Sequence, residues 1–146
     1  MDDEQHWRVL ERIYLNAPTN HYYQPAIRVA RAESEIQVNI RPDFHHAAGA
    51  VHGSVYFKLL DDSAFFAANS LLRDYLVLTS NFTTHLLRPV SEGTLLARGR
   101  VVNAGARQFV AESQLFDGSG TLLAHGVGTF IRSKLDLASR VGFAAA

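Results

Sequence analysis

The chain begins with apolar residues at helical spacing. Residues 4–15 place their large apolar side chains three or four positions apart: Trp7, Leu10, Ile13 and Tyr14. This period predicts an amphipathic helix, and the acidic residues before it suit the positive end of the helix dipole. The run 16–20 contains a proline and ends the helix.

The middle of the chain carries its longest apolar segment. Residues 45–70 hold only three charged side chains, Lys58, Asp61 and Asp62. We predict one long helix over residues 51–72, and a helix this apolar must be buried over most of its surface. Carboxylates are costly to desolvate and are seldom buried without a partner or a task. A buried helix with free amides at its start and a carboxylate two to three turns later is therefore a candidate reaction site.

Segments typical of strands flank this helix on both sides in sequence. Before it, residues 22–32 and 35–41 predict a hairpin, because Ile36, Val38 and Ile40 alternate with polar residues. Four further strands are predicted after the helix, over residues 75–87, 95–102, 108–116 and 121–131. A single apolar helix between strands must be covered by the sheet that those strands form. The predicted fold is α+β, an antiparallel sheet wrapped around one long central helix, which is the hotdog fold.

Length and charge limit the classes of function. The 146 residues suffice for one core, so we expect a single domain over 1–146, with an N-terminal helix at 1–16 and a peripheral tail at 133–146. The net charge is zero at pH 7, so there is no bulk attraction to nucleic acid or to acidic membranes.

The absence of cysteine and of targeting segments limits them further. Without cysteine, the chain has no disulfides, no thiolate catalysis and no cysteine metal site. The N-terminus is acidic and unlike a signal peptide, and charges interrupt the central helix too soon for a membrane span. We therefore expect a cytoplasmic, soluble protein.

The predicted central helix has two faces at about 100° per residue. One face is polar: Ser54, Lys58, Asp61, Asp62, Phe65 and Asn69. The other should pack against the sheet: Val55, Tyr56, Leu59, Leu60, Ser63, Phe66 and Ala67. The polar face then looks away from the sheet, towards solvent or a second subunit. Within it we assign Asp62 to an ordinary ion pair with Lys58, whereas Asp61 is predicted to lie against a covered, apolar surface.

Short motifs run from the loop before the central helix to the last strands. They are Gly49-Ala50-Val51-His52-Gly53, Asp61 nine residues after the histidine, Ser63-Ala64, and Ala67-Ala68-Asn69-Ser70. The strand from Thr79 to Pro89, followed by Gly93, and the hairpin from Gly118 to Phe130 extend the pattern. Together they resemble the PaaI-type hotdog acyl-CoA thioesterases. The resemblance covers roughly residues 20–131.

The resemblance implies a mechanism. The backbone N–H of Gly53 would bind the thioester carbonyl oxygen, where the helix dipole favours developing negative charge. Asp61 would act as general base on water, or as the attacking nucleophile. Thr79 would help to position the water, and His52 would orient the loop or the carbonyl. The substrate would be an acyl-CoA or aryl-CoA, with coenzyme A as part of the substrate and with no metal or redox cofactor.

Two residues differ from the family pattern. His46 stands where these enzymes usually carry asparagine, and Ser54 replaces the usual second glycine. An imidazole can donate one hydrogen bond to a carbonyl or a water, so His46 remains a candidate site residue whose protonation state matters. The unusual loop bears on substrate preference more than on the reaction class.

Other functions remain open at this point. A hotdog hydratase or dehydratase would set a histidine, His46 or His52, against Asp61, and a binding protein would hold an acyl-CoA without turnover. A metal site at His45, His46 and His52 is disfavoured because no carboxylate lies at matching spacing in that loop. A serine hydrolase would need a Gly-x-Ser-x-Gly motif, which the chain lacks.

The spacing of Gly53 and Asp61 bears on the number of subunits. The two residues are eight positions apart, which is about 12 Å along one helix axis. One helix therefore cannot present both groups to one thioester, whereas an antiparallel second copy can place its own Asp61 opposite the first Gly53. The sequence thus predicts an obligate homodimer, or a dimer of dimers, with composite sites.

Overall fold

A six-stranded antiparallel sheet and a long helix packed across it make up the architecture of the computed structural model, which describes residues 1–145. The helices are α1 (Asp3–Asn16), α2 (Asn20–Tyr23) and α3 (Gly53–Asn69). The strands are β1 (Ala26–Ala30), β2 (Glu33–Asn39), β3 (Tyr75–Leu86), β4 (Thr94–Ala104), β5 (Gln108–Phe116) and β6 (Leu122–Asp136). Their order in the sheet is β1-β2-β4-β5-β6-β3. The predicted α+β hotdog fold is confirmed.

The central helix is shorter than the predicted 51–72, since it spans Gly53–Asn69, and two predicted strand boundaries are wrong by about four residues or more. The first strand begins at Ala26 instead of at residue 22, because Asn20–Tyr23 forms a helical turn that ends where Gln24 adopts a left-handed conformation with φ 50°. The last strand continues to Asp136, where it still pairs with Tyr75. Residues 133–136 therefore belong to the sheet and not to a peripheral tail.

The sheet-facing side of α3 is the one that the helical period predicts, since all seven residues of that face are buried. Serines of the sheet bind the helix backbone: Ser34 donates its hydroxyl to the Ser63 carbonyl at 2.6 Å, and Ser113 to the Leu60 carbonyl at 2.7 Å. Gly99 on β4 allows the close approach, because a Cβ there would lie 2.2 Å from the Ser63 carbonyl oxygen. These contacts fix α3 against the sheet and so fix its outer face.

Asn69 does not belong to the polar face that the helical period assigns to it. It is fully buried at the C-terminal end of α3. Its amide donates to the Tyr75 carbonyl at 3.0 Å and its side-chain oxygen accepts from the Val77 N–H at 2.8 Å. The residue is buried because it joins the end of the helix to the start of β3.

α1 packs over the C-terminal half of α3. A capping box between Asp2 and Gln5 starts the helix, and its apolar side chains enter the core. His6 Nε2 bonds to the Asn69 carbonyl at 3.0 Å, and Trp7 Nε1 donates to the Ser70 carbonyl at 3.2 Å. Carbonyls in the last turn of a helix have no partner within the helix, so side chains of α1 supply part of what is missing.

β3 is an edge strand of the sheet. Along this edge and on the neighbouring surface of α3, Leu78, Leu86 and Phe57 are 43%, 55% and 43% exposed. A long edge with exposed apolar side chains favours pairing with another chain. Among residues 1–145, no helix is both long enough and apolar enough to cross a membrane.

Candidate active site

Asp61 lies on the outer face of α3, partly buried and in contact with β3. The hydroxyl of Thr79 donates a hydrogen bond to its Oδ1 at 2.8 Å. The two residues are 18 positions apart in sequence, and the sheet brings them together. A bulge in β3 follows directly, between Thr79 and Asn81, and bulges of this kind re-aim side chains next to reaction sites.

The environment of Asp61 disfavours its charged form. Burial, the largest cause, raises the pKa of Asp61 to about 6, and the negative charge of Asp62 adds to the rise. The hydrogen bond from Thr79 and the charge of Lys58 oppose it. A carboxylate that titrates close to neutral pH is suited to accept a proton from water.

Asp62 has a different environment. Its Oδ2 accepts hydrogen bonds from the Tyr14 hydroxyl at 2.6 Å and from Lys58 Nζ at 2.7 Å. The predicted pair with Lys58 is confirmed, but it is not simply solvated, because the Lys58 and Asp62 side chains are only 16% and 18% exposed. Burial raises the pKa of Tyr14, so its hydroxyl stays a donor. Both donors bind the same oxygen, Oδ2, so Asp62 joins Tyr14 of α1 to Lys58 of α3.

Sequence reasoning missed the contact between Tyr14 and Asp62. The helical period assigns Tyr14 to the core side of the N-terminal helix, and its ring does lie edge-on against Phe66 at 5.0 Å. The local sequence does not indicate which group the hydroxyl binds, since its partner is 48 residues away. A buried tyrosine usually finds a partner for its hydroxyl, and this was the one available signal.

Gly53 is the first residue of α3. Within residues 1–145 its backbone N–H has no hydrogen-bond acceptor, as expected at the first position of a helix. A Cβ at this position would lie 3.0 Å from Cδ1 of Leu86, which is the end of a flexible side chain. The amide is thus free at the positive end of a 17-residue helix.

His52 and His46 are exposed neighbours on the same loop. Nδ1 of His52 accepts from the Ser54 N–H at 3.0 Å and caps α3, and Nδ1 of His46 accepts from the Ala48 N–H at 3.0 Å. The ring centroids are 6.4 Å apart. Because Nδ1 of each ring accepts, the neutral rings carry their hydrogen on Nε2, where it can be donated to another group.

The five predicted site residues thus form two groups in one chain. Asp61 and Thr79 lie together in the middle of α3. Gly53, His52 and His46 lie at its start. The helix rise separates the two groups by about 12 Å.

A groove opens beside Asp61, with a volume of about 340 Å³. Asp61, Asp62, Lys58 and Thr79 border it, and α1 and the loop after it form one side. Its apolar wall consists of Ile13, Ala17, Phe65, Phe66, Leu76 and Leu78. Sequence analysis did not find this feature, which we call the Asp61 groove, because α1 and α3 meet only in three dimensions.

The loop histidines do not converge on a common point. His45 Nε2 donates to the Ser91 carbonyl at 2.7 Å. The Nδ1 atoms of His46 and His52 accept hydrogen bonds from backbone N–H groups. Among residues 1–145, no three histidine or carboxylate side chains are arranged as metal ligands.

Sequence comparison connects this geometry to known proteins. A family model described as the thioesterase superfamily matches residues 48–124, which is 77 of the 146 residues and more than half of the chain. A Saccharolobus solfataricus protein provisionally named an esterase is 25% identical over 104 residues, 71% of this chain and 69% of that protein.

Solved structures share the fold over most of their length. The Escherichia coli PaaI protein from the phenylacetic acid degradation operon has a TM-score of 0.83 and 19% identity, covering 92% of this chain and 97% of that one. A conserved Pseudomonas aeruginosa protein has a TM-score of 0.77 and 24% identity, covering 84% and 98%. A Haemophilus influenzae thioesterase has a TM-score of 0.73 and 18% identity, covering 86% and 88%. At these identities the likeness is one of fold.

Proposed function

The chain belongs to the thioesterase superfamily and is a thioester hydrolase, and we propose that it cleaves acyl-CoA or aryl-CoA thioesters to the free acid and coenzyme A. The observation that carries the proposal is Asp61, a partly buried carboxylate with its pKa raised to about 6 and a hydroxyl donor, Thr79, on one oxygen. The free Gly53 amide is the second half of the machinery. The relative named for phenylacetic acid degradation supports including aryl acids.

In the proposed reaction Asp61 is the general base. It takes a proton from water as the water oxygen forms a bond to the thioester carbonyl carbon. The carbonyl oxygen becomes an oxyanion, which the Gly53 N–H and the helix dipole stabilise. When the intermediate collapses, the C–S bond breaks, the thiolate leaves as coenzyme A, and the proton held by Asp61 returns to the products.

Two subunits would form each site. The attacking water must lie within roughly 3–3.5 Å of the carbonyl carbon. The Gly53 and the Asp61 of one chain are about 12 Å apart along the helix, so they cannot both act on the same thioester. An antiparallel copy of α3 meets this requirement, and the exposed edge of β3 offers a surface on which a second chain can pair. We therefore propose a homodimer, alone or within a dimer of dimers.

The loop histidines would act as donors at the carbonyl end of this site. His46 has its Nε2 hydrogen free and could replace the amide of the family's asparagine. His52 has a structural task as well, since its Nδ1 caps α3 and so holds the Gly53 turn in place.

The experiment is a panel of CoA thioesters assayed for released thiol, with Asp61→Asn as the test variant. Loss of a general base should lower turnover by about 10²-fold or more. Asp62→Asn is the matched control, since Asp62 already binds Tyr14 and Lys58, and it should reduce turnover far less.

Each competing function has its own outcome in this experiment. Water addition to an enoyl thioester without thiol release would indicate a hydratase. Tight binding of every thioester without turnover would indicate a binding protein. A sensitive Asp62 beside a tolerant Asp61 would reject the assignment of the base.

A further inference from the structure

The Asp61 groove has a wall that belongs to α1 and not to the sheet or the central helix. Ile13 in the last turn of α1 and Ala17, the C-cap directly after it, supply apolar surface on this side. The opposite side comes from Phe65 on α3 and Leu78 on β3. Asp61 itself lines the groove, so a group that extends from the reacting carbonyl can enter it.

The α1 wall is fixed by polar contacts that the proposed reaction does not use. Tyr14 bonds to Asp62 at 2.6 Å, and Lys58 bonds to the same carboxylate oxygen at 2.7 Å. Lys58 Nζ also lies 5.4 Å from the Tyr14 ring centroid and 4.9 Å from that of Tyr23. The contacts hold the last turn of α1 at a set distance from α3.

We infer that this turn of α1, with Ile13, Tyr14 and Ala17, is the end wall of the acyl pocket and limits the length of the acyl group that the enzyme accepts. The inference rests on the proposed function, because it takes Asp61 as the reacting end of the groove. It makes Ala17 a specificity-determining position, since its small side chain leaves the space that a longer acyl group would occupy.

The volume selects a class of acyl group. At about 340 Å³ the groove is near the lower end of the range for small-molecule pockets, roughly 300–1,000 Å³. It suits a medium-length chain such as octanoyl, or an aryl ring, and is too small for the full length of a palmitoyl chain. Its wall is mostly apolar, so it stabilises a hydrocarbon by burial.

The charges that border the groove also affect which acyl groups it accepts. Two carboxylates, Asp61 and Asp62, border the groove and only one cation, Lys58, offsets them among the described lining residues. A free carboxylate at the far end of the acyl group would be repelled and would have no free cation to bind among the described lining residues. Succinyl-CoA should therefore be a poorer substrate than butyryl-CoA, which has the same number of acyl carbons.

The test is a chain-length profile of kcat/KM with acetyl-, butyryl-, octanoyl- and palmitoyl-CoA. Ala17→Phe should lower the ratio of kcat/KM for octanoyl-CoA to that for acetyl-CoA by about tenfold or more, the scale of misfitting a hydrocarbon pocket. Ala17→Leu should give a smaller change in the same direction. Leu15→Phe is the matched control, because Leu15 lies on the same turn but is 43% exposed and outside the groove.

Binding separates failure of this inference from failure of the proposed function. Isothermal titration of the Asp61→Asn enzyme with acetyl-CoA and octanoyl-CoA measures how much more tightly the longer acyl group binds, without turnover. If no thioester is hydrolysed but Ala17→Phe abolishes this difference in affinity, the proposed acyl pocket is supported and the proposed reaction is wrong. If hydrolysis occurs and Ala17→Phe and Leu15→Phe give the same chain-length profile, the α1 wall is wrong and the reaction stands.

Discussion

Two adjacent carboxylates on α3 have different partners, and we propose different roles for them on that ground. Asp61 has one hydroxyl donor, Thr79, and loses solvation without gaining a direct ion pair. Asp62 gains both a cation and a hydroxyl. Proton transfer needs a group whose charged and neutral forms are close in free energy, and Asp61, with its pKa raised to about 6 by burial, meets this condition near neutral pH.

The first prediction concerns pH. Because the base must be ionised, kcat/KM should fall about tenfold per unit as the pH drops below the Asp61 pKa of about 6, and reach a plateau above it. The Thr79 hydrogen bond lowers this pKa, so Thr79→Val should move the falling limb to higher pH. Thr79→Ser keeps the hydroxyl and should keep the wild-type profile. A limb that does not move in Thr79→Val would show that Asp61 is not the titrating group.

His46 provides the second prediction at this scale. Its ring offers one N–H from Nε2, the same kind of donor as an asparagine amide. His46→Asn should therefore preserve or raise kcat/KM, whereas His46→Ala should lower it. Steady-state kinetics on one good thioester decides the matter. Equal values for the wild type and both variants would place His46 outside the site.

How far the sequence predicts the candidate site depends on the distance between partners. Asp61 and Gly53 follow from motif spacing on one helix, and Thr79 from its resemblance to the corresponding strand of a family. Tyr14 does not follow, because its contact with Asp62 depends on how two helices pack. The prediction for Asn69 is wrong for a similar reason. Its angle on the helix places it on the polar face, but the strand that follows the helix packs back against it and buries it.

At the scale of elements, α1 and α3 depend on each other. α3 ends at Asn69 without a left-handed glycine, and its cap Ser70 remains in the right-handed helical region. Backbone N–H groups after the helix bind some of its last carbonyls, including Leu72 N–H on the Asn69 carbonyl at 3.1 Å, and His6 and Trp7 of α1 add side-chain donors at this end. Burial lowers the pKa of His6, so it is the neutral ring that donates.

The prediction is that His6→Leu lowers the free energy of unfolding although the new side chain is apolar and similar in bulk. The Asn69 carbonyl would lose a buried hydrogen bond from His6 while keeping the one from the Leu72 N–H at 3.1 Å, and the loss of such a bond costs about 0.5–1.5 kcal/mol. Chemical denaturation measures the loss. His21→Leu is the matched control, since His21 is exposed and the change should stay within about 0.5 kcal/mol. Equal changes in the free energy of unfolding in the two variants would show that the carbonyl contact of His6 does not contribute to stability.

The element boundaries show what a local pattern can and cannot predict. The Gln108–Phe116 strand matches its alternating pattern at both ends. The last strand exceeds its predicted end because β3 continues to pair with it after β5 has ended at the Gln108–Ile131 pair. Its final residues are set by a neighbouring strand and not by their own hydrophobicity.

At the scale of the whole molecule, the proposed mechanism leaves each single chain with two incomplete sites. One end of α3 carries the free Gly53 amide, its middle carries Asp61, the proposed base, and about 12 Å of helix separates them. The edge of β3 is open, and apolar side chains are exposed along it. A second chain paired antiparallel along this edge would cover that surface and complete both sites at once.

The last prediction is recovery of activity by subunit mixing. Asp61→Ala chains lack the base, and Gly53→Pro chains lack the amide N–H. Proline is well tolerated at the first position of a helix, and His52 before it already has the extended conformation that proline requires, with φ −63° and ψ 142°. In an equal mixture half of the dimers are mixed and each has one intact site, so about a quarter of wild-type activity should return by symmetry.

Gly53→Ala is the control that isolates the N–H. It places a Cβ against the same Leu86 methyl group, 3.0 Å away, but keeps the backbone donor. It should remain active alone, whereas Gly53→Pro alone should not, so a loss in both would point to crowding at Leu86 and not to the amide. If subunit exchange is proven by mass-tagged chains and no activity returns in the mixture, each chain builds its own site and the dimeric mechanism is wrong.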